Sequence, residues 1–257
     1  MVRCDDLVLR VRNKVRLPLP IFRVLNRAKE SFVCPLCDYE GPFADLHSFA
    51  GVRKHAVCPK CGALERHRLQ YLVAMDALKD MNVSEMKMLH FAPENFLRPL
   101  FSSRFGKYQT ADPYVKGVDY QVDIRILPFR DGSYDFVFAS HVLEQIADDE
   151  RAIQEIRRIL KPNGLAILPV HVVCDKTIEY PEANLQEAGH VRAPGLDYFE
   201  RFKQYFDRVE VHASDSLPEK YQLYVYEDRS VWPTENCPLR TPMQGERHSE
   251  FVPVCYA

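Results

Sequence analysis

The sequence predicts an α/β fold in which a mainly parallel sheet of seven strands is flanked by helices, with a small metal-binding module in front of it. Two observations lead to this prediction. Short apolar strand patterns alternate with helical patterns over residues 84–228, which is typical of a sheet built from strand–helix–strand units. Two Cys-x-x-Cys pairs stand before this region, within residues 31–83.

The alternation can be followed along the chain. Helical spacing of apolar residues predicts helices over 64–78, 149–160 and 198–206. The predicted strands cover residues 86–91, 107–111, 120–124, 136–139, 165–173, 209–213 and 222–227. The last two strands alternate with period two, as antiparallel strands do. Residues 229–257 contain four prolines and no regular pattern, so we expect an irregular C-terminal tail.

Length and charge limit the class of protein. A chain of 257 residues has room for one large domain and a small appendage. Its formal net charge of −2 argues against strong non-specific binding of nucleic acid by the whole molecule. No apolar run is long enough to span a bilayer and no signal-peptide pattern is present, so the sequence predicts a cytoplasmic protein without a transmembrane segment.

Residues 1–30 form a basic leader. Its positive residues are Arg10, Arg12, Lys14, Arg16, Arg23, Arg27 and Lys29. Such a segment is either a solvated leader or a contact surface for RNA, an anionic lipid or an acidic substrate. The sequence leaves these alternatives open.

The two Cys-x-x-Cys pairs predict a structural zinc site. Cys34 and Cys37 form the first pair, and Cys58 and Cys61 form the second pair 20 residues later. Each turn presents two thiolates on one side, and two such turns complete a tetrahedral Cys4 site of the zinc-ribbon type. A closed Cys4 site has no open position for catalysis. The alternative is a set of buried or redox-active thiols.

Two motifs in the α/β region resemble a known family. Residues 122–144 read V-D-I-R-I-L-P-F-R-D-G-S-Y-D-F-V-F-A-S-H-V-L-E, and residues 155–164 read E-I-R-R-I-L-K-P-N-G. They resemble the class I S-adenosylmethionine (SAM)-dependent methyltransferase superfamily, in particular its type 11-like members. The Cys4 module, E-R-H-R at 65–68 and L-H-F-A-P-E at 89–94 are similar to a subgroup with the same order of parts. The resemblance implies a Rossmann-like sheet that binds SAM.

The resemblance also implies which residues hold the cofactor. The first strand would end in a loop under the methionine part of SAM, and here that loop contains no glycine. A carboxylate about 20 residues further on would bind the ribose, or would only shape a turn. A second carboxylate would accept a hydrogen bond from the adenine amino group. The expected cofactor residues are His90, Phe91, Ala92, Glu94, Asp112 (ribose), Asp123 (adenine), Ile124 (stacking on adenine) and Ser140 (near the sulfonium).

Methyl transfer to a hydroxyl or amine needs a group that removes a proton, and histidine suits this role near neutral pH. We expect His141 and His190 to be catalytic and Arg192 to contact an anion or hydroxyl of the acceptor. Three functions are compatible with the sequence. The first is methylation of a small molecule or glycan, the second is RNA methylation assisted by the zinc module, and the third is a non-catalytic scaffold with a methyltransferase fold.

Overall fold

A computed structural model of the protein describes residues 17–48 and 51–257. Most of the basic leader, including Arg10 to Arg16, lies outside the described residues. The helices are α1 (Leu19–Leu25), α2 (Glu65–Ala77), α3 (Leu97–Ser102) and α4 (Asp149–Ile159). The strands are β1 (Phe32–Cys34), β2 (Tyr39–Gly41), β3 (Ala44–Ser48), β4 (Gly51–Val57), β5 (Lys87–Phe91), β6 (Lys107–Ala111), β7 (Tyr134–Ala139), β8 (Leu160–Ile167), β9 (Ile178–Asn184), β10 (His190–Ala193), β11 (Arg208–Ala213), β12 (Val225–Tyr226), β13 (Arg247–His248) and β14 (Phe251–Tyr256).

The central sheet has the strand order β11-β14-β8-β7-β5-β6. The pairs β6·β5, β5·β7 and β7·β8 are parallel, whereas β14 is antiparallel to both β8 and β11. β7 is almost entirely apolar and buried, because helices cover both faces of the sheet. The predicted Rossmann-like α/β fold with a mainly parallel sheet is therefore confirmed.

The sheet differs from the prediction at one edge. It has six strands over the described residues rather than seven, because residues 120–124 form no strand and residues 222–227 do not join this sheet, whereas residues 251–256 do. Only an isolated bridge joins Tyr120 to Ala111. The carboxylate of Asp119 accepts hydrogen bonds from the backbone nitrogen and the hydroxyl of Thr110, both at 2.7 Å. The Asp119 side chain therefore satisfies hydrogen-bond donors at the edge of the sheet that a strand over residues 120–124 would otherwise satisfy.

The predicted irregular tail is wrong for residues 251–256, which form β14 between β8 and β11. The strand is buried at four consecutive positions, so it shows no alternation of polar and apolar residues. It also contains Pro253, and proline normally argues against a central strand. The carbonyl of Pro253 nevertheless accepts a hydrogen bond from the backbone nitrogen of Leu168.

Residues 214–250 form an insertion between β11 and β14, and this insertion joins the cysteine module. The predicted strand 222–227 is reduced to β12, which pairs with β4 of the module and with β13, and not with the central sheet. The buried guanidinium of Arg68 in α2 donates to the carbonyl of Gln222 through Nε and Nη2, at 3.1 and 2.6 Å. The module and the α/β domain are thus held together by backbone pairing and by a buried arginine.

The module and the sheet also share one hydrophobic core. α2 places Leu69, Val73 and Ala74 against Phe136 and Phe138 on one face of the sheet, within one buried cluster. The opposite face of the sheet is covered by α4, whose predicted apolar face is confirmed at Ile153 and Ile156. The predicted helix 198–206 is present as a 3₁₀ helix over Leu196–Gln204. Among the described residues no helix has the length and apolar character that a bilayer crossing requires.

Candidate active site

The topology defines one crevice at the carboxyl ends of the strands. From β5 the chain continues to β6 on one side, whereas β7 continues to β8 on the other side, so the strand order reverses between β5 and β7. Ligands of open α/β sheets bind in the crevice at such a switch point. The residues that directly follow β5, β6 and β7 at this crevice are Ala92, Asp112 and Ser140. His141 comes directly after Ser140.

The loop after β5 turns sharply without a glycine. Ala92 has a φ of 47°, a left-handed conformation that costs a non-glycine residue about 1–2 kcal/mol. Its backbone nitrogen donates to the carbonyl of Ala111 at 2.8 Å, which holds the ends of β5 and β6 together. Alanine has the smallest side chain that leaves room for close approach to this backbone.

Two loop residues predicted to bind the cofactor face the protein interior. His90 is fully buried, with its Nδ1 2.8 Å from the hydroxyl of Tyr108 and its Nε2 3.0 Å from Glu94 Oε2. Its ring packs edge-on against Phe138 beneath α3. Phe91 is buried on the opposite face of the sheet. Both side chains pack inside the protein, and their predicted contact with SAM stays a prediction.

Asp112 ends β6 and shapes the next turn. Its Oδ1 accepts hydrogen bonds from the backbone nitrogens of Tyr114 and Val115, both at 2.8 Å. The sequence suggested a turn role and a ribose role; the structure shows the turn contacts, and the ribose role stays a prediction. The two backbone bonds also fix the direction of a buried carboxylate at the rim of the crevice.

Asp123 and Ile124 follow the Tyr120 bridge. The Asp123 carboxylate is half exposed and forms a salt bridge with Arg125 at 2.5 Å. This hydrogen bond and the charge of Arg125 hold the pKa of Asp123 below its usual value. A bond to the adenine amino group would have to coexist with the Arg125 pair. Ile124 is buried in the core cluster that includes Leu127.

His141 follows β7 in a left-handed conformation, with φ at 52°. Its Nδ1 lies 3.0 Å from Oε1 of Glu144, a carboxylate that is fully buried. Burial opposes ionisation of Glu144, but the hydrogen bond and charge of His141 outweigh it and lower the pKa of this carboxyl. The other ring nitrogen of His141, Nε2, is buried and has no hydrogen-bond partner among the described residues. This is the geometry of an imidazole oriented by a carboxylate, with its second nitrogen available to a ligand.

Two further histidines lie near this dyad. The ring centroid of His171 is 5.8 Å from that of His141, and its backbone nitrogen donates to Glu144 Oε1 at 3.3 Å. Desolvation lowers the pKa of His171 well below 6.5, and the charge of Arg240 adds to this effect. Desolvation also lowers the pKa of His190, against the opposing charge of Glu144. Both imidazoles are therefore neutral near pH 7.

Arg192 has a different role from the one predicted. Its Nη1 donates to the carbonyls of Leu143 and Ile146 at 2.8 and 2.6 Å, and its Nη2 donates to the carbonyl of Ala147 at 3.1 Å. Its Nε bonds Glu179 at 2.9 Å, and its Nη2 lies 3.5 Å from Asp149. These contacts engage all three guanidinium nitrogens with the protein itself, so no observation places Arg192 at the acceptor. The residue fastens β10 to the segment that follows His141.

Ser140 connects the crevice to the cysteine module. Its hydroxyl donates to Oε1 of Gln70 in α2 at 3.1 Å, and both side chains are buried. Sequence analysis missed Gln70, because no motif or spacing links it to β7. Glu144 was also missed as an orienting carboxylate, although its position three residues after His141 is a signal that was present in the motif.

The four cysteines of the paired motifs come together in the structure. Their sulfur atoms all lie within 4.8 Å of one another, with Cys34–Cys61 and Cys37–Cys58 distances of 3.6 Å. A tetrahedral site with Zn–S bonds of about 2.3 Å places its sulfurs about 3.8 Å apart. The donor set and the spacing therefore fit a zinc ion. Hydrogen bonds to Cys58 and Cys61, together with burial, raise the pKa of Cys34.

Comparison with known proteins supports the fold assignment. Residues 102–168 match the family model of a methyltransferase domain. The chain is 31% identical over 77 residues to a ubiquinone/menaquinone biosynthesis C-methyltransferase of Pseudoalteromonas translucida. This alignment covers 28% of this chain and 31% of that protein. It is 29% identical over 120 residues to a 2-phytyl-1,4-naphtoquinone methyltransferase of Trichormus variabilis, covering 46% of this chain and 42% of that protein. The chain thus spans less than half the length of these curated relatives.

Among solved structures, a S-adenosylmethionine dependent methyltransferase from Mesorhizobium loti is 14% identical, with a TM-score of 0.47 over 72% of this chain and 97% of that one. The matched segment 102–168 runs from the end of α3 through β8 and contains the motifs that resemble the superfamily. A methyltransferase family model thus matches the segment in which these motifs lie, and the four-cysteine cluster precedes that segment in the chain.

Proposed function

We propose that the protein is a SAM-dependent methyltransferase that transfers a methyl group to a hydroxyl or amine of a small molecule or glycan. The observation that carries this proposal is the His141–Glu144 dyad at the switch-point crevice, with His141 Nε2 buried and without a partner among the described residues. The methyltransferase family match supports the donor, and the quinone methyltransferases among the relatives support a small acceptor.

The chemical types of the residues at the crevice fit SAM. The glycine-free turn at Ala92 leaves only a methyl group above the backbone, and Glu94 and Asp112 bring two carboxylates to the same end of the sheet. We assign Glu94 to the side of the cofactor's amino group, Asp112 to the ribose and Asp123 with Ile124 to the adenine. When bound there, SAM would supply an electrophilic methyl group on its sulfonium sulfur; the bond between this methyl carbon and sulfur breaks, and a neutral thioether leaves.

The chain's own residues align the acceptor and move its proton. A hydroxyl of the acceptor donates its hydrogen bond to Nε2 of His141, and this nitrogen takes the proton as the oxygen forms its new bond to carbon. Glu144 keeps the Nδ1 proton of His141 in place and stabilises the imidazolium that results. His190, whose pKa is lowered by desolvation, is the second candidate base.

The first test separates donor binding from proton transfer. Asp112→Ala should weaken SAM binding by calorimetry about ten-fold or more, because the ribose loses a charged hydrogen-bond acceptor. His141→Gln should leave SAM binding within about two-fold of wild type and reduce methyl transfer at least about 100-fold. His47→Gln, at an exposed position in β3, is the matched control and should change neither quantity.

The assay transfers labelled methyl from SAM to a low-molecular-weight cell extract and, in parallel, to total RNA. Label in the extract that disappears with His141→Gln supports the proposal. Label in RNA, with binding that falls steeply as salt rises, would instead support an RNA methyltransferase. Failure of the wild-type protein to bind SAM would leave a non-catalytic scaffold.

We further propose that Cys34, Cys37, Cys58 and Cys61 hold a structural zinc ion. The sulfur spacing and the closed Cys4 donor set support this role. Zinc would tie β1 and β2 to the turn before α2, and α2 carries Gln70 to the crevice. The additional buried thiols, such as Cys255, are free, which suits a reducing compartment and supports a cytoplasmic location.

A further inference from the structure

Helix α1 lies within the basic leader and is attached to the cysteine module by one face. Leu19 packs against the hydrophobic cluster that includes the core of the module. Arg23 donates from Nη2 to the carbonyl of Glu40 at 2.7 Å, and its Cζ lies 4.9 Å from the ring centroid of Tyr39. Phe22 is half-buried. Positions 19, 22 and 23 share one side of a helix, so these contacts fix the direction in which the opposite side points.

The opposite face of α1 is aliphatic and exposed. Ile21, Val24 and Leu25 are 48%, 64% and 68% exposed, and their spacing places them together on one side of the helix. Leu17, just before the helix, is 46% exposed. A surface helix normally turns its polar residues to water and its apolar stripe to the core. An outward aliphatic stripe is instead typical of a surface that contacts another apolar phase.

Positive charge is concentrated at the same end of the chain. Residues 1–30 contain eight lysines and arginines against three acidic residues, whereas the remaining 227 residues contain 26 basic and 33 acidic residues. Arg27 and Lys29 follow α1 directly and are exposed, and Lys29 forms only an exposed pair with Asp45 at 3.2 Å. A negatively charged surface therefore attracts the segment that carries α1 and repels the rest of the chain, which turns the aliphatic stripe toward that surface.

The combination of aliphatic and basic residues selects one kind of partner. A stable interface with a second copy of the chain takes about 20–30 residues from each partner, and the stripe supplies only four. RNA-binding surfaces stack bases on aromatic rings, but the one aromatic residue of α1, Phe22, lies on the attached face. A bilayer with anionic lipids accommodates both features, because aliphatic side chains enter the boundary below the headgroups while lysine and arginine stay at the level of the phosphates.

We propose that α1 is an interfacial helix that docks the protein on a bilayer containing anionic lipids. Ile21, Val24 and Leu25 enter the boundary between headgroups and acyl chains, and Arg27 and Lys29 contact the lipid phosphates. The docking is reversible, because a short aliphatic stripe buries far less apolar surface than a membrane-spanning helix. Of the partners that the sequence left open for the basic leader, the structure thus favours the anionic lipid. This inference does not depend on the proposed methyltransferase function.

The test is co-sedimentation of the full chain with vesicles. One set contains phosphatidylcholine alone, and the other contains about 30% phosphatidylglycerol to supply negative surface charge. We expect binding to the anionic vesicles to be about ten-fold tighter or more than to the neutral ones. Val24→Gln/Leu25→Gln should weaken that binding about 30-fold or more, because two exposed aliphatic side chains no longer leave water. Arg27→Gln should weaken it about five-fold.

Ile126→Gln/Leu185→Gln is the matched control, because these two aliphatic side chains are 74% and 84% exposed in other parts of the chain. This variant should bind anionic vesicles like the wild type. The α1 variants should keep the wild-type far-UV circular dichroism and melting temperature, since their side chains are exposed.

Three results would overturn the inference. The first is equal binding of the wild type to both kinds of vesicle, or to neither. The second is wild-type affinity of Val24→Gln/Leu25→Gln for the anionic vesicles. The third is a different partner for α1 in the absence of vesicle binding, seen either as binding of total RNA or as a dimer in sedimentation velocity that Val24→Gln/Leu25→Gln dissociates.

Discussion

Arg192 offers the sharpest test of how the structure assigns roles. From the sequence we expected Arg192 to contact the acceptor, whereas in the structure its guanidinium fastens β10 to the segment after β7. The three carbonyls that it binds belong to Leu143, Ile146 and Ala147. Replacing Arg192 with methionine keeps most of the apolar stem and removes every one of these donors.

The expected loss of stability follows from the burial of the site. Arg192 is 2% exposed, so water cannot easily reach the carbonyls that lose their partner. Removing one member of a buried charged network costs about 3–5 kcal/mol. For a chain of this size that corresponds to a fall in melting temperature of about 6–20 °C. Arg192→Lys, which keeps the charge but lacks the planar fork, should lose about half as much.

The assay is thermal and urea unfolding of Arg192→Met and Arg192→Lys beside the wild type. Arg208→Met is the control, because Arg208 forms an exposed pair with Glu210 and should cost less than about 1 kcal/mol. An acceptor-binding arginine would behave in the opposite way, with wild-type stability and a raised KM. That result for Arg192→Met would refute the structural role argued here.

Two further predictions concern the zinc site and His171. Cys34→Ser should lose bound zinc, as measured by native mass spectrometry, and should melt well below wild type. Cys174→Ser is the control, because Cys174 is a free buried cysteine that bonds a carbonyl, and it should retain zinc. Equal zinc content in the two variants would contradict the metal assignment. The pKa of His171 lies well below 6.5 in the native state. Below about pH 6.5 the unfolded chain therefore binds a proton at this histidine, whereas the native state does not. The free energy of unfolding should fall as the pH drops below that value. His171→Asn should make unfolding less dependent on pH between about 6.5 and 5, and an unchanged slope would contradict the buried neutral state.

Local patterns account for much of the fold. The alternation of strand and helix signals placed β5, β6, β7 and α4, because apolar periodicity reflects which face of an element is covered. It failed at β14, where both faces are buried and the sequence gives a continuous apolar run interrupted by Pro253. It also failed at residues 120–124, where the Asp119 side chain replaces a strand at the sheet edge.

The candidate site was predictable in part. The position of His141 after an apolar strand marked the end of β7, and the cysteine spacing marked the cluster that the structure assembles. The direction in which a side chain points was not predictable. His90 faces the core beneath α3, although it lies in a motif that resembles the superfamily, and Arg192 turns to backbone carbonyls rather than to an open site.

The sequence by itself determined the α/β class, the cysteine cluster and the strand ends that meet at the crevice, because each depends on residues close together in the chain. Only the tertiary structure decided that Gln70 bonds Ser140 at the end of β7, because these two residues are 70 positions apart in the chain. It also decided that the insertion before β14 pairs with the cysteine module. Such contacts form when separate elements pack over a shared core, and no local periodicity records which surfaces will meet.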